Sequence, residues 1–402
     1  MKLAIICFSL AGSETAEKLK EAFLSEKTNL IHMENPQSLP NDAERYHSRE
    51  CAEVRLAKKS RYIPDAEPVN VDEWTREQFL WADCIIFVGA CGIAVRHIAP
   101  YIKSKKTDPA VLVIDECGKF VISLLSGHLG GANELAQKAA QILGSIPVVT
   151  TATDLHHCFA VDVFARKNNC EILNLQAAKK VSAALLAGKK VGFYSEFPWE
   201  GELPEGLVRC DGQGRECKII KGKEKLIEAG IGEKSEEHDS EFLGGYAAYE
   251  LGIAVTIHKD CKPFKSTVTI IPPAVVLGMG CRRGKDAEEI LTAAQEAVLR
   301  NGLYQQSVAK LVSIDLKKEE QGLLALAKKW DIPFETFSED DLQKAKGTFT
   351  PAAFVQGITG VDNVCERSAV LGSGHGTLIQ KKISGTGVTT AVAVQKRRLY
   401  FE

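Results

Sequence analysis

The sequence predicts an α/β protein: an N-terminal doubly wound, mostly parallel sheet, a central α/β segment and a separate C-terminal α/β domain. Short apolar runs alternate with helical periodicities along the chain, which is the pattern of strands joined by crossover helices. Glycine-rich turns follow several of these runs, as they do in open α/β sheets. The chain has 402 residues, of which 45% are hydrophobic and 25% charged, so two or three domains with their own cores are expected.

The first domain is predicted over residues 1–154. Leu3–Phe8 is an apolar run of strand length, and Glu14–Ser25 carries its apolar residues on one helical face. Residues 32–72 are polar and show no clean period, which predicts a long excursion over the surface. Trp74–Trp81 then predicts a helix that leads into the strand Cys84–Val88.

A hairpin and a further strand are predicted next in this domain. Val111–Asp115 and Phe120–Leu124 are two apolar runs split by the turn sequence ECGK, which favours antiparallel pairing. A second glycine-rich turn then opens a helix, and Pro147–Thr150 follows it as a strand.

The remaining domains are predicted over residues 155–272 and 273–402. The central region includes a polar stretch, residues 200–245, whose composition is typical of hairpins or of a mobile lobe. The elements predicted beyond residue 154 are helices at Phe159–Lys167, Ala177–Ala187, Ala287–Arg300 and Lys318–Trp330, and strands at Val191–Tyr194, 274–280, Lys310–Ile314, Ile332–Thr336 and Val388–Val394.

The charge balance and the cysteines exclude several classes of protein. The formal net charge is −2, whereas proteins that coat nucleic acids or anionic membranes need a strongly basic surface. The N-terminus lacks the length and cleavage site of a signal peptide, and no apolar stretch approaches the roughly 20 residues that span a bilayer. The twelve cysteines contain no CxxC pair, so we expect buried or incidental free thiols in a cytoplasmic protein.

Three glycine-rich junctions between strand and helix are candidate binding sites: Gly89–Arg96, Ser126–Asn133 and Gly278–Gly284. Such turns let main chain approach a ligand, and the helix that follows offers N–H donors to an anion. None of them matches the GxGxxG or P-loop fingerprint, so a nucleotide-binding α/β enzyme is the weakest interpretation. Tight turns without a ligand remain the alternative for each junction taken alone.

Polar residues beside these junctions are candidates for chemistry. His128 lies inside the second junction, and Glu116 and Asp154 follow predicted strands. A histidine can act as a general base near neutral pH, and a carboxylate at a strand end can orient it. His97 is expected on a solvated helix and His375 at a loop tip. The adjacent pair His156–His157 has no evident third ligand, so no protein metal site is predicted.

Long motifs in this sequence resemble the CbiG family, the cobalt-precorrin-5A hydrolases of anaerobic cobalamin biosynthesis. The segment from GACGIAVRHIAPYI through LLSGHLGGAN to VVTTATD resembles the N-terminal signature of the family. GMGCRRGK, SIDLKKEEQGL and GITGVDNVCERSAVLGS resemble its C-terminal, CobE-like domain. These matches follow the family order and cover about two thirds of the chain.

The resemblance implies a substrate and a reaction, while the site residues are inferred from the glycine-rich junctions and the polar residues beside them. The substrate would be a ring-contracted cobalt corrinoid precursor, whose δ-lactone is opened by water before a two-carbon fragment leaves as acetaldehyde. The cobalt belongs to the substrate, so no cofactor is expected, and the intermediate would be handed over transiently to other enzymes of the pathway. A corrinoid carrier without hydrolytic activity is the alternative. The polycarboxylate substrate would be held by Gly89, Gly92, Arg96, Ser126, Gly127, Gly130, Gly131, Asn133, Thr151, Thr153, Gly278, Gly280, Arg282 and Arg283.

The catalytic hypothesis names three residues. Either His128 or Glu116 activates the water, amides around Gly127–Gly131 stabilise the oxyanion, and Asp154 assists the later carbon–carbon cleavage.

Overall fold

The computed structural model describes residues 1–31, 53–104, 107–128, 130–152, 158–217, 248–352, 356–357 and 359–401. The chain divides into two compact units, Met1–Val163 and Phe164–Glu402. The domain boundaries predicted at residues 154 and 272 stay a prediction. No helix within the described ranges is both long enough and apolar enough to cross a membrane.

A six-stranded sheet forms the centre of the first unit. Its strands are β1 (Lys2–Cys7), β2 (Glu53–Lys58), β3 (Cys84–Val88), β4 (Ala110–Ile114), β5 (Phe120–Leu125) and β6 (Ile146–Val148). The order across the sheet is β2-β1-β3-β4-β5-β6, and every neighbouring pair is parallel except the antiparallel pair of β4 and β5. The helices are α1 (Leu10–Ile31), α2 (Val71–Trp81), α3 (Cys91–Ile98), α4 (Ala132–Leu143) and α5 (Val161–Lys167).

The sheet is buried on both faces, which is why its central strands are continuous apolar runs. One face packs against residues of α1 and α4, with Leu19 and Phe23 of α1 in the core. The other face packs against residues of α2 and α3, such as Trp74 and Ile98. The mostly parallel, doubly wound sheet predicted from the sequence is therefore confirmed, as is the hairpin of β4 and β5.

Two expectations for this unit are wrong at the described residues. The stretch predicted as a polar excursion contains β2, an edge strand parallel to β1. Its sequence EVRLAK alternates charged and apolar residues, as edge strands often do, and is short enough to escape a periodicity test. The helix predicted from Trp74 begins earlier, because the side chain of Asn70 caps the amides of Asp72 and Glu73.

The direction of β5 decides where the glycine-rich junctions lie. We call the edge where β1, β3 and β4 end the carboxyl edge, and the edge where they begin the amino edge. Leu125 at the end of β5 pairs with Val111 at the start of β4, and β6 runs parallel to β5. The second junction therefore lies at the amino edge, whereas the first, after β3, lies at the carboxyl edge.

The second unit contains two five-stranded sheets. The first has the order β10-β8-β11-β12-β7, with all pairs parallel except that of β12 and β7. Its elements are β7 (Glu171–Ile172), α6 (Leu175–Leu186), β8 (Val191–Ser195), β9 (Trp199–Glu200), β10 (Leu207–Arg209), β11 (Leu251–Val255) and β12 (Ser266–Ile271), of which β9 lies outside this sheet. The chain leaves β8 toward β10 and leaves β11 toward β12, so the carboxyl ends of β8 and β11 flank a topological switch point.

The second sheet of this unit has the order β15-β14-β13-β17-β16, with β13, β14 and β15 parallel and β17 antiparallel to both of its neighbours. Its elements are β13 (Val275–Cys281), α7 (Ala287–Arg300), β14 (Val308–Ile314), α8 (Gln321–Trp330), β15 (Phe334–Phe337), α9 (Glu339–Lys344), α10 (Val364–Gly372), β16 (Thr377–Gly385) and β17 (Val388–Val394). The final strand, β18 (Leu399–Tyr400), pairs with β9.

The strands and helices predicted beyond residue 154 are confirmed in outline. The sequence missed β11 and β12, two buried strands that follow the polar stretch, and it missed α10. Of the polar stretch 200–245, residues 218–245 lie outside the described residues. The helix predicted from Lys318 begins at Gln321, and a separate 3₁₀ turn at Asp315–Lys317 precedes it.

Candidate active site

The turn after β5 has a strained and internally bonded main chain. Ser126 adopts a left-handed conformation with φ of 57°, and Gly131, which precedes α4, has φ of 83°. The amides of Ala132 and Asn133 donate to the carbonyls of Ser126 and Gly127 at 3.2 and 3.0 Å. A non-glycine residue with positive φ costs roughly 1–3 kcal/mol and is typical of functional sites. These two hydrogen bonds join the start of α4 to the residues that leave β5.

Two glycines of this turn are required by close packing. A Cβ atom on Gly127 would lie 2.7 Å from Oδ1 of Asn133, and one on Gly130 would lie 2.5 Å from Cβ of Ser126. Asn133 is buried, accepts a hydrogen bond from Ser123 Oγ at 2.6 Å and donates to Thr151 Oγ1 at 3.0 Å. Asn133 therefore holds the turn against β5 and against the residues that follow β6.

His128 faces a carboxylate within this turn. Its Nδ1 lies 3.2 Å from Oδ1 of Asp162, and the two side chains are only 12% and 19% exposed. Asp162 stands in the first turn of α5, and its Oδ1 also accepts the Val163 amide at 3.1 Å. When Nδ1 donates to Asp162, the lone pair of the neutral imidazole lies on Nε2. The arrangement is that of a general base with an orienting carboxylate.

Asp162 is a site residue that the sequence analysis missed. The carboxylate expected to assist, Asp154, lies outside the described residues, as do Thr153 and the pair His156–His157. No spacing rule connects Asp162 to His128, because α5 returns to the turn only through the tertiary fold. The sole signal was a carboxylate in the first turn of a predicted helix.

Glu116 does not lie with His128. It sits in the turn between β4 and β5 at the carboxyl edge, where its carbonyl accepts a hydrogen bond from Thr15 Oγ1 at 3.3 Å. Ser126 instead bonds to the carbonyl of Asp108, before β4, at the amino edge. The six residues of β5 separate the two turns, a distance of about 20 Å for an extended strand. The two candidate bases therefore cannot act on one lactone within this unit.

Gly89, Gly92 and Arg96 lie at the carboxyl edge with Glu116. The ends of β1 and β3 flank the switch point of this sheet, because the chain leaves them in opposite directions. The Arg96 guanidinium folds back toward the Gly92 carbonyl, at 3.4 Å. His97, expected on a solvated helix, has Nδ1 2.6 Å from Oδ1 of the exposed Asp72. Gly89, Gly92 and Arg96 thus form a second, separate candidate anion site, to which His97 and Asp72 do not belong.

The third junction differs from the expected ligand turn. Gly278 and Gly280 lie inside β13, and a Cβ atom on Gly278 would collide with the carbonyl oxygen of Cys365 in α10. The lack of a side chain at Gly278 therefore lets α10 pack closely against β13. The Arg282 amide donates to the Gly387 carbonyl at 3.0 Å, and Arg283 follows it in the same turn.

In the third junction, the amide of Gly284 could have donated to a bound anion, but it already donates to the carboxylate of Glu320. The Gly284 amide donates to Glu320 Oε1 at 2.8 Å, and Lys317 Nζ lies 2.7 Å from Glu320 Oε2. Burial opposes ionisation, but hydrogen bonds from Lys317 and Gly284 hold the pKa of Glu320 below its ordinary value.

A second histidine–carboxylate pair, also missed from the sequence, lies at the switch point of the β8–β11 sheet. His258 Nδ1 is 2.9 Å from Glu196 Oε1, and Glu196 Oε2 accepts the Ile257 amide at 3.0 Å. Glu196 raises the pKa of His258 through this hydrogen bond. Burial raises the pKa of the nearby Cys261 thiol to about 11. Within the described ranges no group of three or more His, Cys, Asp and Glu side chains is arranged to hold a metal ion.

Comparison with known proteins assigns the chain to a family. Three family models match: cobalamin synthesis G N-terminal at residues 73–154, cobalamin biosynthesis central region at 159–272 and cobalamin synthesis G C-terminus at 275–393. The cobalt-precorrin-5A hydrolase of Salmonella typhimurium is 34% identical over 79% of this chain and 84% of its own length. The chain belongs to the CbiG family.

Two further curated proteins and one solved structure are also similar to this chain. The cobalt-precorrin-5A hydrolase of Priestia megaterium is 33% identical over 77% of this chain and 78% of its own length. The protein CobE of a Sinorhizobium species is 31% identical over 30% of this chain and 79% of its own length. A crystal structure from Sulfolobus solfataricus, described as a homologue of cobalamin biosynthesis protein G, covers 98% of this chain and 97% of its own, with 22% identity and a TM-score of 0.37. The turn that holds His128 falls inside the matched N-terminal region.

Proposed function

We propose that this chain is a cobalt-precorrin-5A hydrolase, which opens the δ-lactone of its cobalt corrinoid substrate and releases acetaldehyde to give cobalt-precorrin-5B. The observation that carries the proposal is the contact of His128 with Asp162 inside the glycine-rich turn. This contact provides a general base, and His128 lies in the segment that matches the N-terminal model of the CbiG family. The curated relatives from Salmonella typhimurium and Priestia megaterium are named cobalt-precorrin-5A hydrolases.

The first step is ester hydrolysis. Nε2 of His128 takes a proton from water while the hydroxide oxygen attacks the lactone carbonyl carbon, and Asp162 stabilises the imidazolium that forms. The carbon–oxygen bond of the tetrahedral intermediate then breaks, and the imidazolium returns its proton to the leaving alkoxide. The products are a carboxylate side chain and a secondary alcohol on the two-carbon fragment.

The oxyanion of this step needs N–H donors. The amides of Gly131, Ala132 and Asn133 donate to carbonyls within the turn, so they are not available in this conformation. We therefore leave the Gly131 amide out of the predicted donors Gly127–Gly131. Donors of this kind typically contribute about 10²–10³-fold to the rate.

The second step is a retro-aldol cleavage. A base removes the proton of the alcohol, its oxygen forms the carbonyl of acetaldehyde, and the carbon–carbon bond breaks with its electron pair moving into the conjugated macrocycle, which is then protonated. Asp154 stays the proposed assistant for this step. His128 is a further candidate, because it has just delivered its proton to the same oxygen.

The remaining parts of the proposal concern cofactor, location and hand-over. The cobalt ion arrives as part of the substrate, so the reaction is assigned to protein side chains without a resident cofactor. A cytoplasmic location is proposed from the reduced-thiol interpretation of the cysteines. Transient transfer of the intermediate to other enzymes of the pathway follows from its place between two steps of a synthesis.

The test is an anaerobic incubation with cobalt-precorrin-5A, with acetaldehyde measured by a coupled alcohol dehydrogenase. The wild-type chain should release one acetaldehyde per substrate, and His128→Ala should be slower by about 10²–10⁴-fold. His97→Ala is the matched control and should keep the wild-type rate. Tight corrinoid binding without acetaldehyde would instead establish the carrier function, and a native rate for His128→Ala would remove the role given to His128.

A further inference from the structure

A cavity in the second unit is not used by the chemistry above. It has a volume of about 680 Å³ and lies between the segment at residues 346–349, the end of α10 and the start of β16. Phe349, Val370 and Leu378 supply apolar wall. Its polar side chains come from Lys346, Thr348, His375 and Lys381.

The charge of this lining has one sign. Two lysines and a histidine face the cavity, and no aspartate or glutamate is among its lining residues. Neither Lys346 nor Lys381 has an ion-pair partner within the described part of the chain, whereas the neighbouring Lys344 lies 3.2 Å from Asp341. Unpaired ammonium groups over an apolar wall favour an anionic ligand that also carries apolar surface.

A buried carboxylate fixes the two segments that form the cavity. Glu366 in α10 is fully buried, and its two oxygens accept the amides of Thr350 at 2.9 Å and Lys382 at 2.6 Å. The buried Asn363 side chain donates to the Thr350 carbonyl at 2.9 Å. The residues adjacent to Lys381 and Phe349 are therefore held in place before any ligand binds, which lowers the entropic cost of binding.

His375 occupies a position that glycine would fill with less strain. Its φ is 58°, it lies between Gly374 and Gly376, and its amide donates to the Val370 carbonyl at 2.9 Å beyond the end of α10. Residues that carry a Cβ atom rarely adopt this left-handed conformation, whereas glycine adopts it without steric conflict. The sequence predicted His375 at a loop tip. In the structure this strained loop residue directs an imidazole into the lining of the cavity.

We propose that this cavity binds the acetate and propionate side chains of the corrinoid macrocycle. Lys346 and Lys381 pair with two carboxylates, His375 donates a hydrogen bond, and the ring edge contacts Phe349, Val370 and Leu378. The inference rests on the proposed function for the class of ligand, and it adds a binding role for the CobE-like region that the hydrolytic mechanism leaves without one.

The experiment measures binding of cobyrinic acid, a corrinoid polycarboxylate, to the full chain by calorimetry. The double variant K346Q/K381Q should bind it about 10–100-fold more weakly, since each charged contact contributes on the order of 1 kcal/mol. K328Q/K329Q removes the same charge from α8 and should keep the wild-type affinity. The heptamethyl ester of cobyrinic acid, which lacks the carboxylates, should bind weakly to every variant.

Three outcomes would overturn the proposal: no binding of cobyrinic acid by the wild-type chain, equal affinity of both double variants, or equal affinity for the acid and its ester. The readout is independent of turnover. If the chain binds the acid through these lysines but releases no acetaldehyde, the binding role of the cavity is supported and the hydrolase function is contradicted. If acetaldehyde release is normal and K346Q/K381Q binds the acid with unchanged affinity, the hydrolase function is supported and the binding role of the cavity is contradicted.

Discussion

Nδ1 of His128 lies 3.2 Å from Oδ1 of Asp162, and this contact joins a strained turn at the amino edge of a sheet to the first turn of a later helix. A histidine in a glycine-rich turn can serve only as a structural cap. The contact with Asp162 makes His128 a candidate general base, because a proton on Nδ1 that is donated to Asp162 leaves the lone pair on Nε2.

Replacing Asp162 by asparagine should lower kcat by about 10²-fold or more, because an amide neither stabilises the imidazolium nor fixes the proton on Nδ1. The acid limb of the kcat profile should also move to lower pH, an effect that a purely structural role would not produce. Asp72→Asn, which removes the exposed partner of His97, should leave the rate and the profile unchanged. A full-rate D162N enzyme with an unshifted profile would show that Asp162 does not position His128.

Gly278→Ala should destabilise the second unit by about 3 kcal/mol or more, because the new Cβ atom meets main chain of α10 rather than a flexible side chain. Gly385→Ala is the matched control, since a Cβ atom there has no neighbour within 4 Å. Urea unfolding of both variants measures the difference. Similar midpoints for the two would contradict the close approach of α10 to β13.

Glu196→Gln should lower the pKa of His258, because the carboxylate hydrogen bond is the main cause that raises it. A raised pKa means that this pair stabilises the fold below about pH 6.5 and that the contribution fades as pH rises through the higher, folded-state pKa. An NMR titration of the His258 ring measures the shift. Glu250→Gln, which alters an exposed pair with Lys265, should leave the His258 titration where it is in the wild-type chain.

Among the cysteines that the structure describes, alkylation by iodoacetamide at pH 8 should modify the exposed Cys91 and Cys117 first. Cys217 is exposed too, but desolvation raises the pKa of its thiol and should slow its reaction. Burial raises the pKa of Cys170 and of Cys365 to about 12, so only about one in 10⁴ of these thiols is ionised at pH 8. Peptide mass spectrometry gives the order of modification, and the same reaction in urea should erase it. Rapid native labelling of Cys365 would mean that α10 opens readily.

Much of the fold could be predicted from local patterns. Apolar runs located β1, β3 and β4, and the ECGK turn located the hairpin of β4 and β5, because these signals depend on a few consecutive residues. β2 was missed because its sequence EVRLAK contains no continuous apolar run. β11 and β12, with the sequences LGIAV and STVTII, do carry a local strand signal, which was overlooked next to the polar stretch 200–245. Glycine spacing also predicted the turn around His128, which the structure has between β5 and α4, whereas the role given to His128 stays a prediction.

The sequence by itself determined the fold class, the strand–glycine–helix junctions and the resemblance to the CbiG family, since each is written in short contiguous segments. The tertiary structure alone decided which candidates share a site. Because β5 runs antiparallel to β4, it carries His128 to the edge opposite Glu116, and α5 brings Asp162 into contact with the imidazole. The direction of β5 and the position of α5 beside the turn both depend on long-range packing of the chain. The sequence separations between His128, Glu116 and Asp162 therefore could not predict which of these residues lie together.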